Sequence, residues 1–185
     1  MEYTHPYVSP LGGITLASDG KALTGLWFDG QTYFGATLCK EHQEKDLPIF
    51  EQTRQWLDLY FGGEIPGFTP PLKPKATAFR KAVWEILLSV PYGRTITYGE
   101  IAGVVARQKG LARMSAQAVG SAVGHNPISI IIPCHRVVGA DGSLTGYAGG
   151  IAIKERLLRL EKADLLKYFI PKNGTAQAGS KCKED

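Results

Sequence analysis

The spacing of apolar and polar residues changes character along this chain. Near the start, Ile14-Thr15-Leu16-Ala17 and Leu23-Thr24-Gly25-Leu26-Trp27-Phe28 have the β-branched and aromatic content of short strands. Ser18-Asp19-Gly20-Lys21 separates them, and its Asp-Gly pair supplies the positive φ that a tight hairpin needs. Asp29-Gly30 repeats the signal before Gln31-Thr32-Tyr33-Phe34, so a second hairpin is expected there. From Pro48 to Phe61 the apolar positions Phe50, Leu57, Tyr60 and Phe61 share one helical face. Gly62-Gly63 closes that helix.

Beyond it, Pro66, Pro70, Pro71 and Pro74 fall within twelve residues, 64–75, a density that predicts a linker. Helical spacing then dominates. Thr77 can cap a helix carrying Phe79, Val83, Trp84, Ile86 and Leu87 inward, stopped by Pro91-Tyr92-Gly93. Thr97-Tyr98-Gly99-Glu100 has capping-box spacing and opens a helix through Ile101, Val104 and Val105. A basic connection, Arg107 to Arg113, leads to Ser115, a second N-cap candidate, and to Ala116-Gln117-Ala118-Val119-Gly120-Ser121-Ala122-Val123-Gly124. Almost every side chain in this last helix is tiny. An internal glycine costs about 1 kcal/mol relative to alanine, so something must approach closely: another helix, or a DNA backbone or groove. Helix, connection, small-residue helix is the outline of a helix-turn-helix. Asp141-Gly142 marks one more hairpin between Val137-Val138 and Ser143-Leu144, a Gly-rich loop runs over Thr145–Gly150, and an amphipathic helix is expected from about Ile151 to Lys162.

These elements predict an α+β protein. Residues 1–68 form a small antiparallel sheet with a helix. Residues 76–171 form a mainly helical domain holding the helix-turn-helix, and residues 172–185 a polar tail without fixed structure. There is no internal repeat. The formal net charge of +4 is compatible with a polyanionic partner and no more. Three cysteines, Cys39, Cys134 and Cys182, are an odd number and no export signal precedes them, which argues against a disulfide framework and for a reducing cytoplasm. The absence of a long apolar run predicts no membrane span. Scattered His5, Cys39 and His42 lack metal-ligand spacing, so no metal is expected.

The chemistry concentrates around Pro133-Cys134-His135-Arg136-Val137, entered through Ile130-Ile131-Ile132. Cysteine is a common buried residue, and it is also a strong nucleophile where a base sits beside it. Glu161 lies four residues after Leu157 and eight after Ile153, which puts a carboxylate on the inward face of its helix. A buried carboxylate needs a partner. It could orient His135 in a Glu–His–Cys relay or pair with Arg136 or Lys154. Tyr98 and Tyr147 add hydroxyls, and the backbone N–H groups of the Gly-rich loop could hold a planar polar ligand.

At these residues the chain resembles the O6-alkylguanine-DNA alkyltransferases. The match lies in Pro133-Cys134-His135-Arg136-Val137-Val138, Asn126-Pro127, Gly146-Tyr147-Ala148-Gly149-Gly150, Pro91-Tyr92-Gly93 and Thr97-Tyr98-Gly99-Glu100-Ile101-Ala102. The resemblance implies a monomeric, cytoplasmic DNA repair protein that needs no cofactor. It would flip O6-methylguanine, and more weakly O4-methylthymine, out of double-stranded DNA and transfer the alkyl group once, irreversibly, to itself. Cys134 would accept the group, His135 would act as base through a water, and Glu161 would hold the imidazole. Asn126 would be the hinge behind the recognition helix, and Tyr98 would donate to the departing guanine. Val137, Tyr147, Ala148 and Gly149 would line the base pocket. Ser115, Ala116 and Gln117 would meet DNA, with Gln117 standing where the family usually has an intercalating arginine. The connection from Arg107 to Arg113 is longer than the family leads one to expect, and Ala148 replaces a serine of some relatives. The rival reading is a module that binds alkylated bases without removing them; Cys134 tells against it.

Overall fold

The computed structural model describes residues 1–171. The sequence-predicted strands form as β2 (Gly12–Ser18) and β3 (Leu23–Phe28), joined by the Asp19-Gly20 turn. The pattern did not announce the strand before them, β1 (Glu2–Ser9), which pairs antiparallel with β2. Short β4 (His42–Glu44) adds parallel to β1, giving the order β3-β2-β1-β4. Pro6 breaks the strand signature, yet it is tolerated because β4 reaches only as far as Thr4 and leaves that outer edge unpaired.

The second hairpin does not form. Gln31 folds back so that its Oε1 accepts from Phe28 N–H (2.9 Å) and its own N–H donates to Phe28 O (3.1 Å). The strand end is thereby closed, and residues 31–38 run on as successive turns. At Asp141-Gly142 the tight turn forms, with Gly139 N–H on Ser143 O (2.9 Å), but its arms part. β6 (Val137–Val138) pairs with β5 (Ile96–Thr97), while Leu144 N–H donates to Phe169 O.

The helices follow their capping signals. α1 is Pro48–Phe61 and α2 is Ala78–Leu88, with Thr77 Oγ1 accepting from Arg80 N–H. α3 (Tyr98–Gln108) starts on a complete Thr97–Glu100 capping box, and α4 (Ala116–Gly124) starts on Ser115. α5 (Ile151–Leu160) stops short of Lys162, which turns the chain at φ +57. α4 packs on α2 and α3, and Trp84 Nε1 donates to Ala122 O (2.9 Å) across that contact. This satisfies the packing reason for α4's small residues on one side of the helix. The main apolar core joins the N-terminal sheet, α1 to α4, the 128–132 segment and Leu157. The tail expected over 172–185, Cys182 included, lies outside the described residues.

Candidate active site

The cysteine reaches its place through the edge of the N-terminal sheet. The outer edge of β3 carries two single-residue bridges, Leu23 to Leu72 in the Pro-rich connection and Leu26 to Ile128. In the second, Leu26 N–H donates to Pro127 O (2.8 Å) and Ser129 N–H to Leu26 O (2.9 Å). An exposed strand edge is thus covered, and the segment leading to Cys134 is stitched to the sheet. Ile130 adopts φ +67, a strained conformation for a β-branched residue. Tight turns follow, and Cys134–Arg136 is one turn of 3-10 helix entered from Pro133. The Asn126 amide ties the path together: its Nδ2 donates to Ile128 O (3.1 Å), Ile132 O (2.8 Å) and Cys134 Sγ (3.0 Å), and its Oδ1 accepts from Ile128 N–H (3.0 Å).

Cys134 is 4% exposed. Burial pushes the thiol up from its ordinary value, and the Asn126 hydrogen bond and the Lys154 charge offset that only in part. The resting sulfur is therefore protonated, with a donor already aimed at it to stabilise the thiolate. Lys154 is fully buried and donates to Val137 O (2.5 Å) and Thr145 O (2.6 Å). Burial brings its pKa down to about 8.

Glu161, 2% exposed at the C-cap of α5, is the hub of the second half of the site. Its Oε1 accepts from His135 Nε2 (2.6 Å), Tyr60 OH (2.8 Å) and Arg136 Nη2 (2.9 Å). Its Oε2 accepts from Arg136 Nε (2.9 Å) and Gly93 N–H (3.0 Å). Burial alone would raise this carboxyl; His135 and the Arg136 guanidinium more than offset it and hold it well below the usual carboxylate range. Burial lowers the His135 pKa against the pull of Glu161, so the imidazole is neutral at pH 7. With Nε2–H on the carboxylate, Nδ1 is left as the basic nitrogen, and it has no partner among the described residues. Relay and salt bridge, alternatives in the sequence, coexist on one carboxylate; Lys154 takes no part.

Tyr98, the first residue of α3, donates to Thr145 O (3.3 Å). Burial and the nearby Cys134 raise its pKa to about 12, so it keeps its proton. It fits because the neighbouring chain is glycine: a Cβ on Gly146 (φ +66) would lie 2.7 Å from its hydroxyl. Tyr147 is buried with its ring edge-on to His135, centroids 6.4 Å apart. Gly149 lets the chain pass Tyr147 and Phe28, since a Cβ there would lie 2.7 and 3.3 Å from them. Ala148 O accepts from Thr32 N–H (3.0 Å). Val137 is buried in the core; its N–H donates to Cys134 O and its carbonyl serves Lys154. Ser115, the N-cap of α4, and Ala116 and Gln117 in its first turn are exposed.

Sequence reasoning did not assign Tyr60 or Gly93 to the site, and it named Lys154 only as an alternative partner for Glu161 rather than as a cation bound to the Val137 and Thr145 carbonyls. Helical spacing puts Tyr60 on the inward face of α1, and a buried tyrosine hydroxyl needs a partner. That was the one available signal. Its partner is 101 residues away.

The sequence model described as the 6-O-methylguanine DNA methyltransferase DNA binding domain matches residues 78–163. That described as its ribonuclease-like domain matches residues 3–74. The chain is 45% identical over 161 residues to the methylated-DNA–protein-cysteine methyltransferase of Haemophilus influenzae, covering 86% of each. It is 46% identical to that of Mycobacterium bovis over 84% of this chain and 89% of the relative. Among solved structures, Mycobacterium tuberculosis OGT in complex with DNA superposes with a TM-score of 0.75 at 43% identity, covering 89% of this chain and 98% of that one. Both halves of the chain and the constellation around Cys134 thus converge, and the protein belongs to the 6-O-methylguanine-DNA methyltransferase family.

Proposed function

We propose that this DNA-repair methyltransferase takes the O6-alkyl group of guanine in duplex DNA onto Cys134 Sγ, with O4-methylthymine as a weaker substrate. A stacked base hides O6 from in-line attack, so the nucleotide must leave the helix. The α3–α4 pair acts as a helix-turn-helix, and the small exposed side chains of α4 suit close approach to the minor groove. Ser115, Ala116 and Gln117 meet the backbone and the vacated stack, while Tyr147, Ala148 and Gly149 border the extruded base.

In the reaction His135 Nδ1 takes the thiol proton through a water, and the Asn126 amide and the Lys154 charge stabilise the thiolate. The sulfur forms its bond to the alkyl carbon as the carbon–O6 bond breaks. That electron pair stays on guanine, which takes a proton from the Tyr98 hydroxyl, and the imidazolium proton then restores the tyrosine. The product is a thioether with no hydrolytic group beside it, so each molecule reacts once, as a monomer and without a cofactor. A cytoplasmic setting keeps the thiol reduced.

The observation that carries this reading is the Asn126 Nδ2 to Cys134 Sγ contact of 3.0 Å beside a neutral His135 anchored on Glu161. The test is the intact mass after incubation with an O6-methylguanine duplex. The expected gain is about 14 Da on the Cys134 peptide, one equivalent per protein. Cys134→Ser should bind the duplex without gaining mass. Turnover beyond one equivalent, or binding by the wild type with unchanged mass, refutes the assignment.

A further inference from the structure

The turns at 31–38 carry a strained aromatic residue that the chemistry above does not use. Tyr33 sits at φ +61, a left-handed conformation that a bulky residue adopts only when its surroundings impose it. They do so from both sides. Thr32 N–H is fixed on Ala148 O (3.0 Å), and the Gln31 side chain accepts from Phe28 N–H (2.9 Å) and Ser129 Oγ (3.2 Å). Phe34 leans on Trp27, centroids 6.1 Å apart. The outcome is a tyrosine ring stacked on His125, centroids 4.2 Å apart at 23°, yet still 49% exposed.

His125 is the C-cap of α4, and its Nδ1 donates to Ser121 O (2.7 Å). Gln117, Ser121 and His125 stand at i, i+4 and i+8, one above another on the outer face of α4. The Tyr33 ring therefore continues that face past the end of the helix, beside Asn126 and the Gly-rich loop. Strain held in place to present a half-exposed aromatic surface needs a ligand to explain it, and the surface is continuous with the face assigned to DNA.

We propose that Tyr33, seated on His125, is a DNA-contact residue supplied by the N-terminal half, packing its ring against the duplex beside the extruded nucleotide. This rests on the reading of the α4 face as DNA-facing. Aromatic faces pack on bases without needing charge, so the contact adds affinity without releasing counterions.

The experiment measures duplex affinity at several salt concentrations in the Cys134→Ser background, and transfer from free O6-methylguanine base with Cys134 intact. Tyr33→Gly relieves the backbone strain while deleting the ring, so a loss cannot be blamed on unfolding. The expected result is a roughly tenfold weaker duplex Kd with the salt slope and the free-base rate held, and with Tyr33→Phe retaining wild-type affinity. Unchanged affinity in Tyr33→Gly overturns the proposal. So does a parallel fall in free-base transfer, which would mean that the residue acts through Ala148. Ser121→Glu separates the two layers: it should abolish duplex binding, and if it does not, the α4 reading fails and takes this one with it.

Discussion

Glu161→Gln is the substitution whose consequences the geometry fixes most fully. Each carboxylate oxygen of Glu161 faces only donors: His135 Nε2, Tyr60 OH and Arg136 Nη2 on one, Arg136 Nε and Gly93 N–H on the other. A glutamine keeps one oxygen and turns an NH2 toward donors whichever way it is placed. If the oxygen replaces Oε1, the amide opposes Arg136 Nε and Gly93 N–H. In either orientation Arg136, whose side chain is 11% exposed, loses its counter-charge and one of its two bonds to residue 161, keeping the other and Val90 O (2.5 Å). Breaking a buried pair from one side costs about 3–5 kcal/mol, a large part of a typical total of about 5–15 kcal/mol. For a chain of this size that corresponds to a fall in Tm of roughly 10 °C. Circular dichroism melts measure it. Arg136→Met in the Glu161→Gln background should cost much less than in the wild type, because the stranded charge is then gone. The pH dependence has a definite sign. The folded carboxyl titrates below its unfolded value of about 4.3, so its contribution is complete above that pH and is lost as pH falls below it. The gap between wild type and Glu161→Gln should therefore narrow in acid. A variant that melts with the wild type at pH 7, or a gap that widens below about pH 4, refutes the reasoning.

Lys154→Met should strip Val137 O of its side-chain donor, at about 1–3 kcal/mol, and leave Thr145 O with only the Tyr98 hydroxyl, while removing a buried cation. Because the folded pKa is about 8 against about 10.4 unfolded, the unfolded chain binds more protons between these values. The stability of wild type relative to Lys154→Met should thus rise by about 3 kcal/mol across that window; denaturant melts on either side of it check this, and a flat difference rejects it. Gly146→Ala places a methyl 2.7 Å from the Tyr98 hydroxyl at φ +66; transfer should slow about ten- to a hundredfold, read by adduct mass against time. Gln117→Arg, on an exposed turn of α4, should speed transfer from duplex DNA more than from the free base, and equal effects on both would deny Gln117 a flipping role.

What could be read from the sequence was local. The Thr97–Glu100 box, the Thr77 and Ser115 caps and the apolar face of α1 each involve residues within a turn or two, and their physics needs no distant partner. The inward direction of Glu161 was legible for the same reason, since helical spacing from Leu157 fixes which way the residue points. What failed depended on remote pairing. Asp29-Gly30 looks like any hairpin turn, and only the folding of Gln31 onto Phe28 and the capture of Thr32 by Ala148 divert the chain. β1 hides behind Pro6 because its tolerance depends on how far β4 extends. Tyr60 read as a core type and Lys154 only as an alternative partner for Glu161, and neither has a sequence neighbour that reveals the contacts it makes.

The sharing of Glu161 also explains why arginine follows the Cys134-His135 pair. A histidine that alone balanced a buried carboxylate would be driven toward the imidazolium, which is useless as a base. Here Arg136 engages both oxygens in a fork and supplies the compensating charge itself. His135 is then free to stay neutral under burial while Glu161 still fixes its tautomer through Nε2. Charge balance and orientation are thereby assigned to different residues on the same acceptor. Tyr60 completes the arrangement by donating from α1, so the site is closed only when the N-terminal half is packed in place. Stability of the ion pair and reactivity of the thiol therefore rest on one carboxylate while depending on different donors. It follows that removing Arg136 should raise the pH at which His135 loses its proton, whereas removing Tyr60 should loosen its position.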